Sequence, residues 1–347
     1  MSQCLDESTR RFGEVLERSE TFLLSGHVNI DGDSLGSMLA MHYFLRARGK
    51  RSVAICFEPL LDRYAFLGAD GVVEVFDPAR HGDLARDADC FMMFDFSSPS
   101  RMPGLWDAVR HGHAFKVCVD HHPADELPGD LNLHDVRAPA TGKIVLDVIR
   151  DLGGPLDGKI AEALLVAIST DTGWFRYSNT SAHVLRDAAD LLSVDGIDAS
   201  RVYQEVYQRN EVALIRLMGR VAADIREELG GRLLWGVIPY ALVNELGVGT
   251  FETDELLDLM RTGRDAECVA LLRELEDGVV RVNLRSRGAV DVSGIAREIG
   301  GGGHLFAAGA NLEVPLAAAA ELVVGKLRAA LDRAVRIGHH DDRTPAT

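Results

Sequence analysis

The chain has 347 residues, 47% of them hydrophobic and 26% charged, a balance that excludes a disordered or fibrous protein. That length exceeds one comfortable core and fits two domains of common size. Lysine and arginine total 37 against 53 aspartates and glutamates, for a formal charge of −16. So acidic a chain is unsuited to coating long nucleic acid, whose non-specific affinity comes from phosphate neutralisation. A small anionic substrate held in a local basic pocket remains compatible with it.

The opening residues, about 3 to 20, read as a charged amphipathic helix without the apolar core of a signal peptide. No later stretch reaches the roughly 18 uninterrupted apolar residues that a membrane span needs, so a cytoplasmic protein with no membrane partner is expected. The cysteines (Cys4, Cys56, Cys90, Cys118, Cys268) are scattered, odd in number and never spaced as C-x-x-C. They read as reduced core residues.

The first half then alternates helical periodicity with short apolar runs: TFLLSG (21–26), a helix over 34–49, RSVAICF (51–57), GVVEVF (71–76), DCFMMFD (89–95) and AFKVCVD (114–120). Such a pattern predicts an α/β domain whose mostly parallel sheet carries helices on both faces. Helices continue to about residue 195, and a charged helical passage from about 198 to 227 reads as a linker. A second, smaller α+β domain follows, with strands near 232–238, 267–275 and 279–285, a helix near 292–299 and a final helix near 315–335. The ending GHHDDRTPAT pairs histidines with aspartates, but a polar, Pro-containing terminus reads as a frayed tail.

Four segments of the first half combine carboxylates with imidazoles or hydroxyls. His27, Asp31 and Asp33 form H-x3-D-x-D directly after an apolar run, with Gly32 allowing a turn. Asp95 ends the run DCFMMFD, six residues before Arg101. Asp120-His121-His122 ends another, and Asp171 lies in STDTG. Open α/β sheets place their ligand crevice at the carboxyl ends of strands, which predicts that these groups share one site. Taken singly, Asp33 or Asp171 reads equally well as a helix cap. Taken together, so many carboxylates would repel and desolvate one another without cations. Carboxylate oxygen mixed with imidazole nitrogen, and no thiolate, favours Mn²⁺, with Mg²⁺, Co²⁺ or Fe²⁺ as alternatives. His27, Asp31, Asp33, Asp95, His121 and Asp171 exceed what one catalytic ion with open positions uses. Two divalent cations are therefore expected, with Asp95 able to bridge a pair about 3.5–4 Å apart that acidifies water and clamps a phosphoryl group.

In the second half, Gly300 to Gly303 precede His304. Glycines without side chains let backbone N–H groups approach an anion. Nearby, Arg285 and Arg287 offer guanidinium forks that match phosphate.

These motifs, in this order, resemble those of the DHH phosphoesterase superfamily. VNLRSR (282–287) and IGGGGH (299–304) followed by Ala307-Ala308-Gly309 look like its DHHA1 domain. The resemblance divides the chain into a DHH catalytic domain (1–195), a helical linker (196–227), a DHHA1 substrate domain (228–336) and a flexible tail (337–347). Thr141-Gly142 and TDTGWFRYSNT are similar to the short-oligonucleotide phosphodiesterases called nanoRNases. Those enzymes also dephosphorylate 3′-phosphoadenosine 5′-phosphate, and some cleave linear or cyclic dinucleotides.

The resemblance implies one manganese on His27, Asp31 and Asp95, and another on Asp33, Asp95, His121 and Asp171. His122 would face the substrate phosphate, Asp120 would orient an imidazole, and Arg101 would stabilise developing charge. Arg285, Ser286, Arg287, Gly301, Gly302, Gly303 and His304 would hold the substrate. The implied partners are short single-stranded oligoribonucleotides, small phosphorylated nucleotides and a second copy of the chain, without long duplexes. Ile30, Lys143 and Asn283 depart from the family pattern, and none is an implied ligand. Rival expectations are a cyclic-dinucleotide phosphodiesterase, a RecJ-type single-strand exonuclease, a manganese inorganic pyrophosphatase and a non-catalytic nucleotide sensor.

Overall fold

Short apolar runs separated by helices build the first unit, residues 1–209. The structure, a computed structural model, describes residues 7–67, 71–124, 126–249, 251, 253–303 and 305–341, with side chains as far as 334. The strands are β1 (Thr21–Ser25), β2 (Arg51–Cys56), β3 (Val73–Val75), β4 (Cys90–Phe94), β5 (Phe115–Asp120) and β6 (Leu131–His134). They pair in the order β3-β2-β1-β4-β5-β6, and every pairing is parallel. The chain order reverses between β1 and β4, so their carboxyl ends frame the crevice where such sheets bind ligands. The four-residue β6 was not among the expected strands. Its alternation, Leu131 and Leu133 buried against half-buried Asn132 and His134, is too brief to stand out in sequence.

Among the described residues, eight α-helices accompany this sheet: α1 (Glu7–Arg18), α2 (Gly32–Ala47), α3 (Pro78–Asp87), α4 (Leu105–Arg110), α5 (Thr141–Asp151), α6 (Gly158–Asp171), α7 (Ala182–Leu192) and α8 (Ala199–Tyr207). Two separate apolar clusters form on the sheet. One gathers α1, α2, α5 and α6, and the other gathers α3 and α4. Helix α2 is buried along most of its length, as expected of a helix without a polar face. It runs antiparallel to α6 at unusually short range. A Cβ on Gly36 would lie 2.3 Å from the Ala163 carbonyl oxygen, and one on Gly32 would lie 2.6 Å from the Thr170 side chain.

Residues 210–347 form the second unit. Its elements are α9 (Val212–Ala223), β7 (Arg226–Glu228), β8 (Leu233–Ile238), α10 (Tyr240–Leu246), α11 (Asp254–Arg261), β9 (Cys268–Glu274), β10 (Val280–Ser286), α12 (Val292–Glu298), β11 (Gly302–Gly303), β12 (Ala307–Leu312) and α13 (Leu316–Asp341). The sheet order is β11-β12-β10-β9-β8-β7, mixed because only β8 and β9 run parallel. One face packs on α12 and α13, and the other is partly covered by α9, α10 and α11. The segment 196–227 is shared between the units: Val202 and Val206 of α8 join the first core, Leu217 and Val221 of α9 the second. No helix among the described residues is long and apolar enough to cross a membrane.

Candidate metal centre

The carboxyl ends of β1, β4 and β5, the first turn of α2 and the end of α6 deliver the acid and imidazole groups. The β1–α2 loop carries His27 and Asp31, and Asp31 caps α2 by accepting a hydrogen bond from Ser34 N at 3.0 Å. Asp33 lies in the first turn of α2 and is 2% exposed. Asp95 follows β4 in the left-handed region, with φ 69°, and its N–H continues the ladder to Val119 O. A non-glycine residue there is held by its surroundings at some cost, a pattern that clusters at functional sites.

Asp171 arrives differently from the expected strand-end placement. It is the last residue of α6 and enters the centre because Gly32 and Gly36 bring α6 against α2, setting the α6 carboxyl end beside Asp33.

All six expected ligands converge. His27, Asp31 and Asp95 form one group whose ligand atoms lie within 4.8 Å of one another, Asp33, His121 and Asp171 form a second, and Asp95, His121 and His122 form a third. Asp95 stands between them: Oδ2 is 3.5 Å from His27 Nε2, and Oδ1 is 3.5 Å from His121 Nε2. His121 Nε2 is also 3.8 Å from Asp33 and 3.4 Å from Asp171.

The tautomers suit cation binding. His121 Nδ1 donates to Ala138 O at 3.1 Å, leaving the Nε2 lone pair toward the carboxylates. His27 Nδ1 lies 2.8 Å from Val28 O and also 2.8 Å from Arg101 Nη2. The carbonyl requires a proton on Nδ1, whereas the guanidinium requires a lone pair there. Only the first arrangement turns the Nε2 lone pair toward Asp31 and Asp95, and in it the Arg101 guanidinium would not bond the ring.

Around this set lies a layer of donors that the site residues expected from sequence did not include. Asp33 accepts from Thr141 N at 2.6 Å, Gly142 N at 2.8 Å and Ser37 Oγ at 3.1 Å, while Thr141 Oγ1 donates to Asp95 at 2.9 Å. Asp33 thereby caps α5, whose own N-cap residue, Ala140, has no side-chain acceptor. Gly142 is needed for this approach, because a Cβ there would lie 2.4 Å from Ala167 Cβ. Asp120 is fully buried and accepts from His122 Nδ1 at 2.7 Å, and His134 Nε2 donates to His122 O at 2.7 Å. Of these, only the Asp33–Ser37 pairing, at i and i+4, carried a local signal that could have found it.

Electrostatics agree with a cation site. Burial, with Asp95 and Asp171 close by, pushes Asp33 well above the ordinary carboxylate range, and burial with Asp95 and Asp31 does the same to Asp171. Burial also opposes the charge on Asp95, but the His27 hydrogen bond and the charges of His122 and His121 prevail and hold it low. Burial opposes protonation of His122, yet its bond to Asp120 and the charge of Asp95 raise it to about 9. His27 is likewise raised against burial, by Asp95 and Asp31. The residues therefore fit divalent cations: hard oxygen and imidazole donors, no thiolate, and a mutual repulsion that cations remove.

A pH dependence follows. Above the unfolded carboxylate value of about 3.9, Asp33 and Asp171 hold protons in the ion-free fold that the unfolded chain has lost. Stability of the ion-free protein should then fall as pH rises through their elevated values, and again through those of His27 and His122. Asp95 works in the opposite sense only below about 3.9. Divalent cations displace those protons, so the rise in melting temperature on adding Mn²⁺ should grow with pH between about 4 and 8. An increment that stays flat over that range would contradict this account.

In the second unit, Arg285 lies on the open side of β10 and pairs with Asp254 at 2.6 Å. Two neighbours expected to hold substrate are engaged within the unit. Arg287 donates to the carbonyls of Arg261, Gly263 and Arg264, closing the carboxyl end of α11, and Ser286, 2% exposed, accepts from Gly288 N. Gly301 and Gly303 have a packing reason, since a Cβ would lie 2.1 Å from Gly309 O or 2.5 Å from Ala307 O, whereas Gly302 faces open space. His304 lies outside the described residues.

Residues 21–168 match the DHH family N-terminal domain, and residues 239–336 match the DHHA1 domain. The bifunctional oligoribonuclease and PAP phosphatase NrnA of Thermus thermophilus is 33% identical over 330 residues, covering 94% of this chain and 96% of that protein. Its namesake from Bacillus subtilis is 25% identical over 298 residues, covering 84% and 90% respectively. Among solved structures, an exopolyphosphatase-related protein from Bacteroides fragilis superposes with a TM-score of 0.86 at 23% identity, covering 95% of this chain and 98% of that one. With both domains matched in order and a relative aligned almost end to end, the chain belongs to the DHH–DHHA1 phosphoesterase family.

Proposed function

We propose that this protein hydrolyses short oligoribonucleotides to mononucleotides and converts 3′-phosphoadenosine 5′-phosphate to AMP, with two manganese ions as its cofactor. The observation that carries this reading is the meeting of three ligand groups, two of which share Asp95 and two of which share His121. His27, Asp31 and Asp95 would hold one ion, and Asp33, Asp95, His121 and Asp171 the other. When bound, such a pair supplies an acidified water and neutralises phosphoryl charge.

The chain's own groups do the rest. Asp120 holds His122 by Nδ1 and favours its protonated form, in which Nε2 donates to a phosphoryl oxygen. Arg101, once released from His27, adds a second cationic donor of matching geometry. In the second unit Arg285 and the N–H groups beside Gly302 offer contacts for a terminal phosphate. The NrnA relatives carry both activities in their names, and in this chain the six implied ligands fall within the clustered groups.

A cytoplasmic setting suits the buried free thiols Cys56, Cys90, Cys118 and Cys268. Self-association as a homodimer belongs to the same reading, with apolar surface available at Leu185 and Leu192 of α7 and at Val212 and Ile215 of α9.

A manganese-supplemented panel of a 5′-phosphorylated trinucleotide, a linear dinucleotide, 3′-phosphoadenosine 5′-phosphate and a cyclic dinucleotide, with products resolved by chromatography, tests the assignment. Mononucleotides and AMP are expected. Turnover of the cyclic substrate alone, or of pyrophosphate alone, would replace it. Asp120→Asn should lower the pKa of His122 and move the alkaline limb of kcat/KM to lower pH, with a loss of about 10²-fold at neutral pH. An unmoved limb would exclude His122 as the titrating donor.

A further inference from the structure

Strand β10 buries Val280, Val282 and Leu284 on one side and turns Arg281, Asn283 and Arg285 to the other. Antiparallel register sets Asn311, Gly309 and Ala307 of β12 opposite those three, and Gly302 of β11 opposite Gly309. Directly opposed residues share a face, so Arg281, Asn283, Arg285, Asn311, Gly309, Ala307 and Gly302 lie on one side of the sheet. Gly309 and Gly302 carry no side chains, and guanidinium groups stand at either end of the row.

Among the described residues, the Arg281 end has no carboxylate partner. Arg273 of β9 lies directly opposite Arg281, an arrangement of like charges that weakens a strand pair. Arg273 is fixed in place: its guanidinium carbon lies 3.8 Å from the centre of the Phe251 ring, Nη1 donates to Phe251 O at 2.9 Å, and Nε is buried without a partner among the described residues. Burial and the charge of Arg281 hold it below the usual guanidinium range. Arg281 is exposed and forms no ion pair with a carboxylate among the described residues, in contrast to Arg285 and its Asp254. In a chain with 53 acidic residues, composition does not force such a pairing. An anion between the two arginines would relieve it.

Arg285 lies four positions beyond Arg281 along the strand, a span of about 14 Å at about 3.4 Å per residue. That is too far for the two arginines to grip one phosphate, and it suits two phosphates of an extended strand.

We propose that Arg281 and Arg273 form a second phosphate subsite, which takes an internal phosphodiester of an oligoribonucleotide while Arg285 and the glycine turn take the terminal phosphate. The assignment rests on the hydrolase reading above and deepens it: this subsite rewards substrates of three or more nucleotides and contributes nothing to a single nucleotide.

The test uses the full chain with Arg281→Ala, a change at an exposed position. KM for a 5′-phosphorylated trinucleotide should rise about tenfold, the effect of losing one charge-assisted hydrogen bond, with kcat unchanged. KM for 3′-phosphoadenosine 5′-phosphate should stay within about twofold, and Arg281→Lys should recover part of the loss. Binding of a fluorescein-labelled trinucleotide in EDTA over a KCl series should show a log K against log salt slope reduced by about 0.7. Equal KM changes for the trinucleotide and the mononucleotide, or none for either, would overturn the subsite. If the wild-type chain binds the labelled trinucleotide with the expected Arg281 dependence but releases no mononucleotide, the hydrolase assignment falls and the subsite stands.

Discussion

Asp95→Ala should lower Mn²⁺-dependent hydrolysis by at least about 10³-fold, more than loss of a single charge-stabilising donor, and should abolish the cation-induced rise in melting temperature. Asp95 is the carboxylate whose oxygens face His27 on one side and His121 on the other. Its removal therefore depletes both ligand groups at once, whereas removal of Asp31 or Asp171 depletes one. Asp95→Asn separates charge from shape. Asparagine tolerates the left-handed backbone found here and can still accept from Thr141, so the loop should hold while the bridging anion is gone. Near-normal turnover by either variant, with metal titrated to saturation, would remove Asp95 from the centre.

Gly36→Val is expected to act at a distance. Any Cβ at this position meets the Ala163 carbonyl at 2.3 Å and Ala167 at 3.0 Å, both on α6 and neither able to swing aside. Separating α2 from α6 should cost about 3 kcal/mol, in the range of overpacked cores. It would also draw Asp171 away from Asp33, because those carboxylates sit on the two helices being wedged apart. Mn²⁺ affinity should fall along with thermal stability, while the second unit's trinucleotide binding in EDTA should persist. A variant that loses stability yet keeps wild-type Mn²⁺ affinity would show that Asp171 does not depend on this helix contact.

Much of the metal centre was legible because the strand ends announce themselves. The apolar runs before His27, Asp95 and Asp120 are short, β-rich and followed by polar residues, and a parallel sheet brings such ends to one edge. Asp171 was legible as a residue and misplaced as a position. It ends a helix, and its approach depends on two glycines far away in sequence. Thr141 stood out only as part of a family pattern, since nothing local shows that its N–H caps a carboxylate 108 residues earlier. Strand β12, AAGANL, has no β-branched residue, and it is a strand because β10 pairs along its whole length. Arg287 illustrates the converse: a guanidinium beside a glycine turn reads as a phosphate ligand until three backbone carbonyls prove to occupy it.

Residue chemistry and local periodicity settle which groups this chain possesses, in what order, and that they follow a parallel α/β domain with a mixed sheet after it. They do so because hydrophobic spacing and ligand type are properties of neighbours along the chain. Packing alone decides which oxygens lie within reach of which nitrogens, which arginines face a partner and which do not. Those distances are set by helix contacts and strand register between segments that the chain itself keeps far apart.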